Sequence, residues 1–135
     1  MVPLIPFFCG QALECTANGK NQNPGVALLL AKQNIERYYS HVGVLEYIES
    51  SLELLEFTYS SVFTGLVDTY KHSLNEKRIY TTPDRYRQSI TNETIEILRS
   101  ALKYDFDLYN FILQRFVNKY RQSFNRVPKK NDETF

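Results

Sequence analysis

The stretch EYIESSLELLEF, residues 46–57, sets the helical character of the chain. With the preceding Leu45, the apolar side chains Ile48, Leu52 and Leu55 recur at intervals of three and four, the spacing that gathers side chains on one face of an α-helix. Beside them run Glu46, Glu49, Glu53 and Glu56. At about 100° per residue these four fall in a stripe about 80° wide. A stripe of that kind reads first as a solvated face and second as a docking surface for a basic segment.

Moving toward the C-terminus, residues 58–70, TYSSVFTGLVDTY, continue as a second or a broken helix, with Gly65 weakening it. Residues 71–90 have no helical periodicity and read as a long loop. Thr91 then suits a helix N-cap, with Glu93 in the first turn and Ile90 placed to staple against Ile95. That helix reaches about Leu102, and KYDFDLYNFILQRFVNKYRQSF carries helix to about Phe124. The polar tail, 125–135, is expected to fray.

Moving toward the N-terminus, HVGVL (41–45) is short, β-branched and glycine-centred. It reads as a buried strand, with Gly43 where another backbone comes close. VALLLAKQNIERYY (26–39) reads as a helix. Its first half is apolar nearly all round, which predicts burial, while Gln33, Asn34, Glu36 and Arg37 make a polar side later. Residues 10–25 carry the turn chemistry of a loop. The expected fold is predominantly α-helical with one or two short strands, in a single unit spanning 1–135.

Composition agrees with a folded domain. Of the 135 residues, 43% are hydrophobic and 23% charged, both close to globular averages. The net charge of +1 points to no partner by bulk, so a polyanion site must be a local patch. No apolar run is long enough to cross a bilayer. MVPLIPFF is too short, and too rich in proline (Pro3, Pro6), for a signal peptide, which leaves no visible secretory route. Two features pull the other way: the cysteine pair, and Asn92-Glu93-Thr94, an N-glycosylation acceptor. Both fit if the chain is the back part of a longer secreted or luminal protein.

Both cysteines lie in FFCGQALEC, residues 7–15. A zinc site needs about four ligands, and the two histidines, His41 and His72, are remote in sequence. A redox pair would be spaced C-x-x-C. Two separate buried thiols remain open, but the surrounding loop is polar. A Cys9–Cys15 disulfide leads, worth roughly 2 kcal/mol for so short a loop, and it implies an oxidising compartment.

The loop at 71–90 concentrates charge. Lys71, Lys77, Arg78, Arg85 and Arg87 face only Glu76 and Asp84, a local balance of +3. Tyr70, Ser73, Tyr80, Thr81, Thr82 and Tyr86 are interleaved. Cations, hydroxyls and aromatic faces together suit an anion or a nucleotide, although many solvated loops look alike. No phosphate-binding glycine loop, metalloprotease helix or nucleophile elbow occurs. His41, within the apolar strand, reads as a satisfied core histidine, and no catalytic constellation is complete.

Several of these stretches in order carry a resemblance. FFCGQALEC, a helix containing Ala31-Lys32, and HVGVLEYIESSLELLEF resemble the C-terminal half of the uronyl 2-O-sulfotransferases, the Golgi enzymes acting on heparan sulfate or on dermatan and chondroitin sulfate. Cys9, Gly10, Cys15, Val42-Gly43-Val44, Glu46 and Leu54-Leu55 match the family pattern, and Gly65 and Tyr70 fall at the family spacing. The resemblance covers roughly residues 6–124, and KYDFDLYNFILQRF is slightly closer to the dermatan/chondroitin branch. Departures are a longer loop before Ala31, Leu45 in place of a threonine, and a tail unlike the one used for trimer packing in the heparan sulfate enzymes.

The resemblance implies the C-terminal part of a P-loop-like α/β fold that uses 3′-phosphoadenylyl sulfate (PAPS) and no metal. It implies that the phosphosulfate loop and a catalytic histidine lie N-terminal to the cysteine pair, so this chain alone is expected to be inactive. Tyr70 and Thr81 carry over as nucleotide-closing residues, with Arg85 near a family lysine and Ser73 a weaker placement. The implied acceptor is a glycosaminoglycan rather than a nucleic acid. The implied setting is the Golgi lumen, through an N-terminal membrane anchor, and homo-oligomers are an option. The competing expectation is a secreted, non-catalytic helical module that binds polyanions.

Overall fold

The computed structural model describes residues 4–15, 23–75 and 91–131. The described residues are helical, in the order α1 (Ile5–Cys9), a 3-10 turn (Leu13–Cys15), α2 (Pro24–Tyr38), a second 3-10 turn (Leu45–Tyr47), α3 (Ile48–Thr58), α4 (Ser60–Phe63), α5 (Leu66–Asn75), α6 (Asn92–Ala101) and α7 (Lys103–Phe124). Among them there is no strand.

The long helix α7 is the spine. Leu108, Ile112, Phe116 and Tyr120, one every fourth residue, are its buried positions, and α1, α2 and α3 all pack on it. The helix was legible to its last residue, since Phe124 is followed by Asn125 in the left-handed conformation at φ 51°, a usual helix terminator.

Helix α1 has only five residues and is held by side chains from elsewhere. Asp105 Oδ1 of α7 accepts from Leu4 N at 2.5 Å and Ile5 N at 3.0 Å. At the other end, Asn34 Nδ2 of α2 donates to Phe8 O and Cys9 O, both at 2.9 Å. A helix this short cannot sustain itself, so these caps and the packing against α2 define it. In α2 the side facing inward is Ala27, Ala31 and Ile35, all buried. The apolar run was expected to be buried as a whole, but Leu29 is 55% exposed. Alanines four residues apart let α1 come close to α2, and the bulkier leucines are left at the flanks.

The strand expected at 41–45 does not form. Val44 has extended backbone angles, φ −119° and ψ 124°, but no strand among the described residues lies beside it. Its N–H donates to Ser51 Oγ at 2.9 Å, and that hydroxyl donates in turn to Val44 O at 3.1 Å. One buried serine supplies what a neighbouring strand would have supplied. Gly43 serves the same contact: a Cβ there would stand 3.1 Å from Ser51 Cβ, so the close approach is by a side chain, not by backbone.

Helix α3 is rotated from its expected setting. Ser50, Ser51 and Leu54 are its buried residues, while Ile48, Leu52 and Leu55 are half-buried and Leu45 is 57% exposed. The helix after Gly65 (φ 79°) also runs on through 71–75, where a loop was expected. Val67 and Lys71, one turn apart, line one cavity with Glu49, Ser50 and Glu53 of α3. Helix α6 starts as anticipated, with Thr91 Oγ1 accepting from Thr94 N at 3.3 Å; its staple partner Ile90 lies outside the described residues.

The tail expected to fray is tied down as far as residue 131. Ser50 Oγ accepts from Lys129 N at 3.0 Å, Asn131 N donates to Glu46 O at 2.9 Å, and Arg126 pairs with Glu53. The acidic stripe of α3 thus receives a basic segment of its own chain.

Ser51→Ala removes the partner of a buried N–H and C=O at once. It is expected to destabilise the fold by about 1–3 kcal/mol, measured by urea unfolding. An unchanged midpoint would show that water satisfies Val44 as well as Ser51 does.

Candidate functional site

The residues predicted to face a nucleotide begin on α5. Tyr70 is half-buried and Ser73 exposed. Ser73 Oγ donates to Tyr70 O at 2.7 Å, so its hydrogen is directed into the helix and its free lone pairs can only accept. That is the wrong polarity for a phosphate oxygen. Thr81 and Arg85 lie outside the described residues.

The position of α5 is set by a carboxylate. Glu56 of α3 accepts from Gly65 N at 2.8 Å and from Val67 N at 3.2 Å. These are amides of the first turn of α5, which lack partners within their own helix. The Gly65 hydrogen bond, then that of Val67, holds the Glu56 carboxyl below the usual carboxylate range. A negative charge at this end also complements the helix dipole.

Beside α5 lies a cavity of about 190 Å³. It is lined by Lys71 of α5, by Arg126 and Lys129 of the tail, and by Glu49 and Glu53 of α3. Tyr120 OH donates to Glu53 Oε2 at 2.5 Å. Burial first, and then this hydrogen bond, raises the Tyr120 phenol above its ordinary value, so it stays a donor at neutral pH. Glu53 is therefore claimed twice, by Tyr120 and by Arg126. Three cations against two carboxylates leave the cavity weakly positive. Sequence reasoning missed the contribution of Arg126 and Lys129, because nothing in NRVPKKN announces that it folds back.

His41 is not the satisfied core histidine expected. Its Nδ1 is buried without a hydrogen-bond partner among the described residues. Burial, followed by the charges of Lys119 and Arg115, lowers its pKa, so the imidazole is neutral at physiological pH. Among the described residues no three His, Cys, Asp or Glu side chains gather as a metal group, and no helix is long and apolar enough to cross a membrane.

Cys9 and Cys15 form a disulfide, with Cα atoms 5.5 Å apart. Both are buried even though the surrounding loop is polar, because α1 and the following turn pack against α2. Asn92 is the exposed first residue of α6.

The comparisons now bear on this arrangement. The chain is 30% identical over 113 residues to the human uronyl 2-sulfotransferase, a match covering 84% of this chain and 27% of that protein. It is 33% identical over 114 residues to the Drosophila melanogaster heparin sulfate O-sulfotransferase, covering 83% and 31%. It is 29% identical over 130 residues to the Caenorhabditis elegans heparan sulfate 2-O-sulfotransferase hst-2, covering 95% and 39%. No family model matches the chain, and no solved structure matches it at a significant level. Over most of its length the chain is similar to a C-terminal portion of proteins named as uronyl or heparan sulfate 2-O-sulfotransferases. It spans roughly a quarter to two-fifths of the length of these relatives.

The lowered Glu56 value fixes the sign of a pH effect. The hold on α5 is complete above the ordinary glutamate range, near about 4.3, and is lost as the pH falls below it toward the folded-state value. Amide protection at Gly65 and Val67 is expected to drop between neutral and acid pH, and Glu56→Gln is expected to show the low value already at pH 7. Equal protection in parent and variant at pH 7 would remove Glu56 from this role.

Proposed function

We propose that this chain is the C-terminal part of a PAPS-dependent glycosaminoglycan uronyl 2-O-sulfotransferase, and that α5 with the residues after it closes over the nucleotide. The observation that carries the proposal is the sequence match over more than four-fifths of the chain to proteins named for that activity. The fold around α5 supports it: Glu56 pins the helix that begins the segment, and Lys71 adds an ammonium one residue beyond Tyr70.

The donor supplies an activated sulfuryl group and leaves as a bisphosphate. The described residues fit such an anion in part. Tyr70 can offer a ring and a hydroxyl, and Lys71 a charge, but Ser73 spends its hydrogen on the helix. Thr81 and Arg85 complete the proposed set. The phosphosulfate loop and the base that deprotonates the uronic acid 2-hydroxyl belong, in this reading, to the rest of a P-loop-like α/β domain. These 135 residues are then inactive alone. The exposed apolar side chains Phe7, Leu29 and Val62 leave surface for such a remainder to cover. A Golgi lumenal setting and a homo-oligomeric enzyme belong to the same reading.

The test is calorimetric titration of adenosine 3′,5′-bisphosphate into the native protein that contains this chain. Arg85→Ala is expected to weaken binding by about ten- to a hundredfold, the loss of one charge-assisted hydrogen bond. Thr81→Ala is expected to cost less, and Tyr70→Ala more than Tyr70→Phe. If all three positions can be replaced without loss of affinity in folded protein, the segment is not the nucleotide site.

Asn92 is proposed as an N-glycan acceptor, on its exposed position in the first turn of α6 and on a disulfide suited to an oxidising compartment. Protein from a secretory host is expected to lose mass on endoglycosidase treatment, and Asn92→Gln to abolish that loss. A parent insensitive to the enzyme would remove the site.

A further inference from the structure

On the side of α7 turned toward the end of α2 runs a groove of about 490 Å³, within the usual range of ligand sites. Its floor carries two parallel rows. Gln114, Asn118 and Gln122 succeed one another every fourth residue, and Arg115 and Lys119 do the same beside them. The amide row extends about 12 Å along the helix, which suits a segment of an extended chain more than a single small molecule.

The two cations are held in place rather than left to sweep through solvent. Arg115 Nη2 donates to Tyr39 O at 2.6 Å, and Lys119 Nζ donates to Ser40 O. These carbonyls lie just beyond the C-terminus of α2, the negative end of a helix dipole. Neither cation has a carboxylate partner among the described residues, and Glu36 is the one acid lining the groove. Each cation keeps further N–H donors free. The field they create is felt by His41, whose protonation they oppose. At one end of the groove the Phe111 ring offers an apolar patch, with Lys32 Nζ 5.5 Å from its centroid.

This combination has a specific chemical complement. Side-chain amides both donate and accept, as sugar hydroxyls do, and fixed cations suit sulfate or carboxylate groups. We infer that this groove binds a run of an acidic polysaccharide, the amide row reading its hydroxyls and Arg115 and Lys119 its anionic groups. The inference rests on the glycosaminoglycan reading above for the identity of the polymer, and on the groove alone for its place.

The probe is a size-defined heparin decasaccharide, titrated calorimetrically into the native protein that contains this chain, with adenosine 3′,5′-bisphosphate titrated separately. The triple variant Gln114→Ala/Asn118→Ala/Gln122→Ala removes only exposed side chains and should fold as the parent. It is expected to weaken decasaccharide binding at least about fivefold while nucleotide affinity stays unchanged. Arg115→Ala with Lys119→Ala is expected to weaken it further, about tenfold per charge. Decasaccharide affinity unchanged in the folded amide variant overturns the inference, as does a parent that does not bind the decasaccharide. A parent that binds the decasaccharide through these residues but binds no nucleotide supports the groove and counts against the sulfotransferase reading alone.

Discussion

The row Leu108, Ile112, Phe116, Tyr120 determines how everything else is arranged. Because an α-helix turns about 100° per residue, a spacing of four overshoots a full turn by about 40°. Three such steps swing the buried face about 120° around α7. One straight helix can therefore present its first turns to α1 and its last turns to α3. The polar contacts follow the same swing. Asp105, near the start of α7, caps α1, and Tyr120, near its end, donates to Glu53 of α3. Between them, Phe116 meets Tyr47 at 5.9 Å between ring centroids.

Around that spine, the short elements are defined by side chains from distant parts of the sequence. Helix α1 is capped from α7 at one end and from α2 at the other; residue 44 is satisfied by residue 51; α5 is capped by Glu56; the tail is received by Ser50, Glu53 and Glu46. The Arg126–Glu53 pair is half-exposed, with side-chain accessibilities of 53% and 34%, so it contributes little on its own. Its neighbours give it a fixed setting: the Arg126 guanidinium also lies 5.9 Å from the Tyr120 ring centroid and 5.6 Å from that of Phe124. Packing and hydrogen bonds hold the tail, and charge selects which segment docks there.

What was legible in the sequence was the part governed by local rules. The span of α7, the N-cap at Thr91 and the break at Gly65 follow from periodicity, a hydroxyl before a helix and a residue free to take positive φ. What was illegible depends on partners far along the chain. HVGVL has the composition of a strand, and nothing within it reveals that a serine seven residues later would satisfy its backbone. EYIESSLELLEF advertises its leucines, yet Ser50 and Ser51 are buried because they have backbone partners at 129 and 44. The rotation of α3 is a tertiary decision that a hydrophobic pattern does not encode. At the candidate site, Tyr70 and Ser73 were carried over from the family resemblance, and the loop composition around them agreed. That Ser73 turns its hydrogen inward became visible only once 71–75 proved helical, since a helix supplies the carbonyl three residues back.

The stripe of glutamates running from the 3-10 turn at Leu45–Tyr47 along α3 ties these observations to function. A solvated face would have left four carboxylates independent of one another, but each has a task. Glu46 interacts with Tyr109, whose phenol is raised first by burial and then by that charge. Glu49 lines the cavity beside α5, Glu53 takes Tyr120 and Arg126, and Glu56 takes the amides of α5. The same helix therefore fixes the tail on one side and the start of the proposed nucleotide segment on the other. Lys71 and Lys129 line the same cavity beside it, so the tail contributes a cation to the surroundings of α5. The anchoring of the C-terminal segment and the electrostatics of the candidate site are consequences of one stripe, through the turn-by-turn spacing of its four carboxylates.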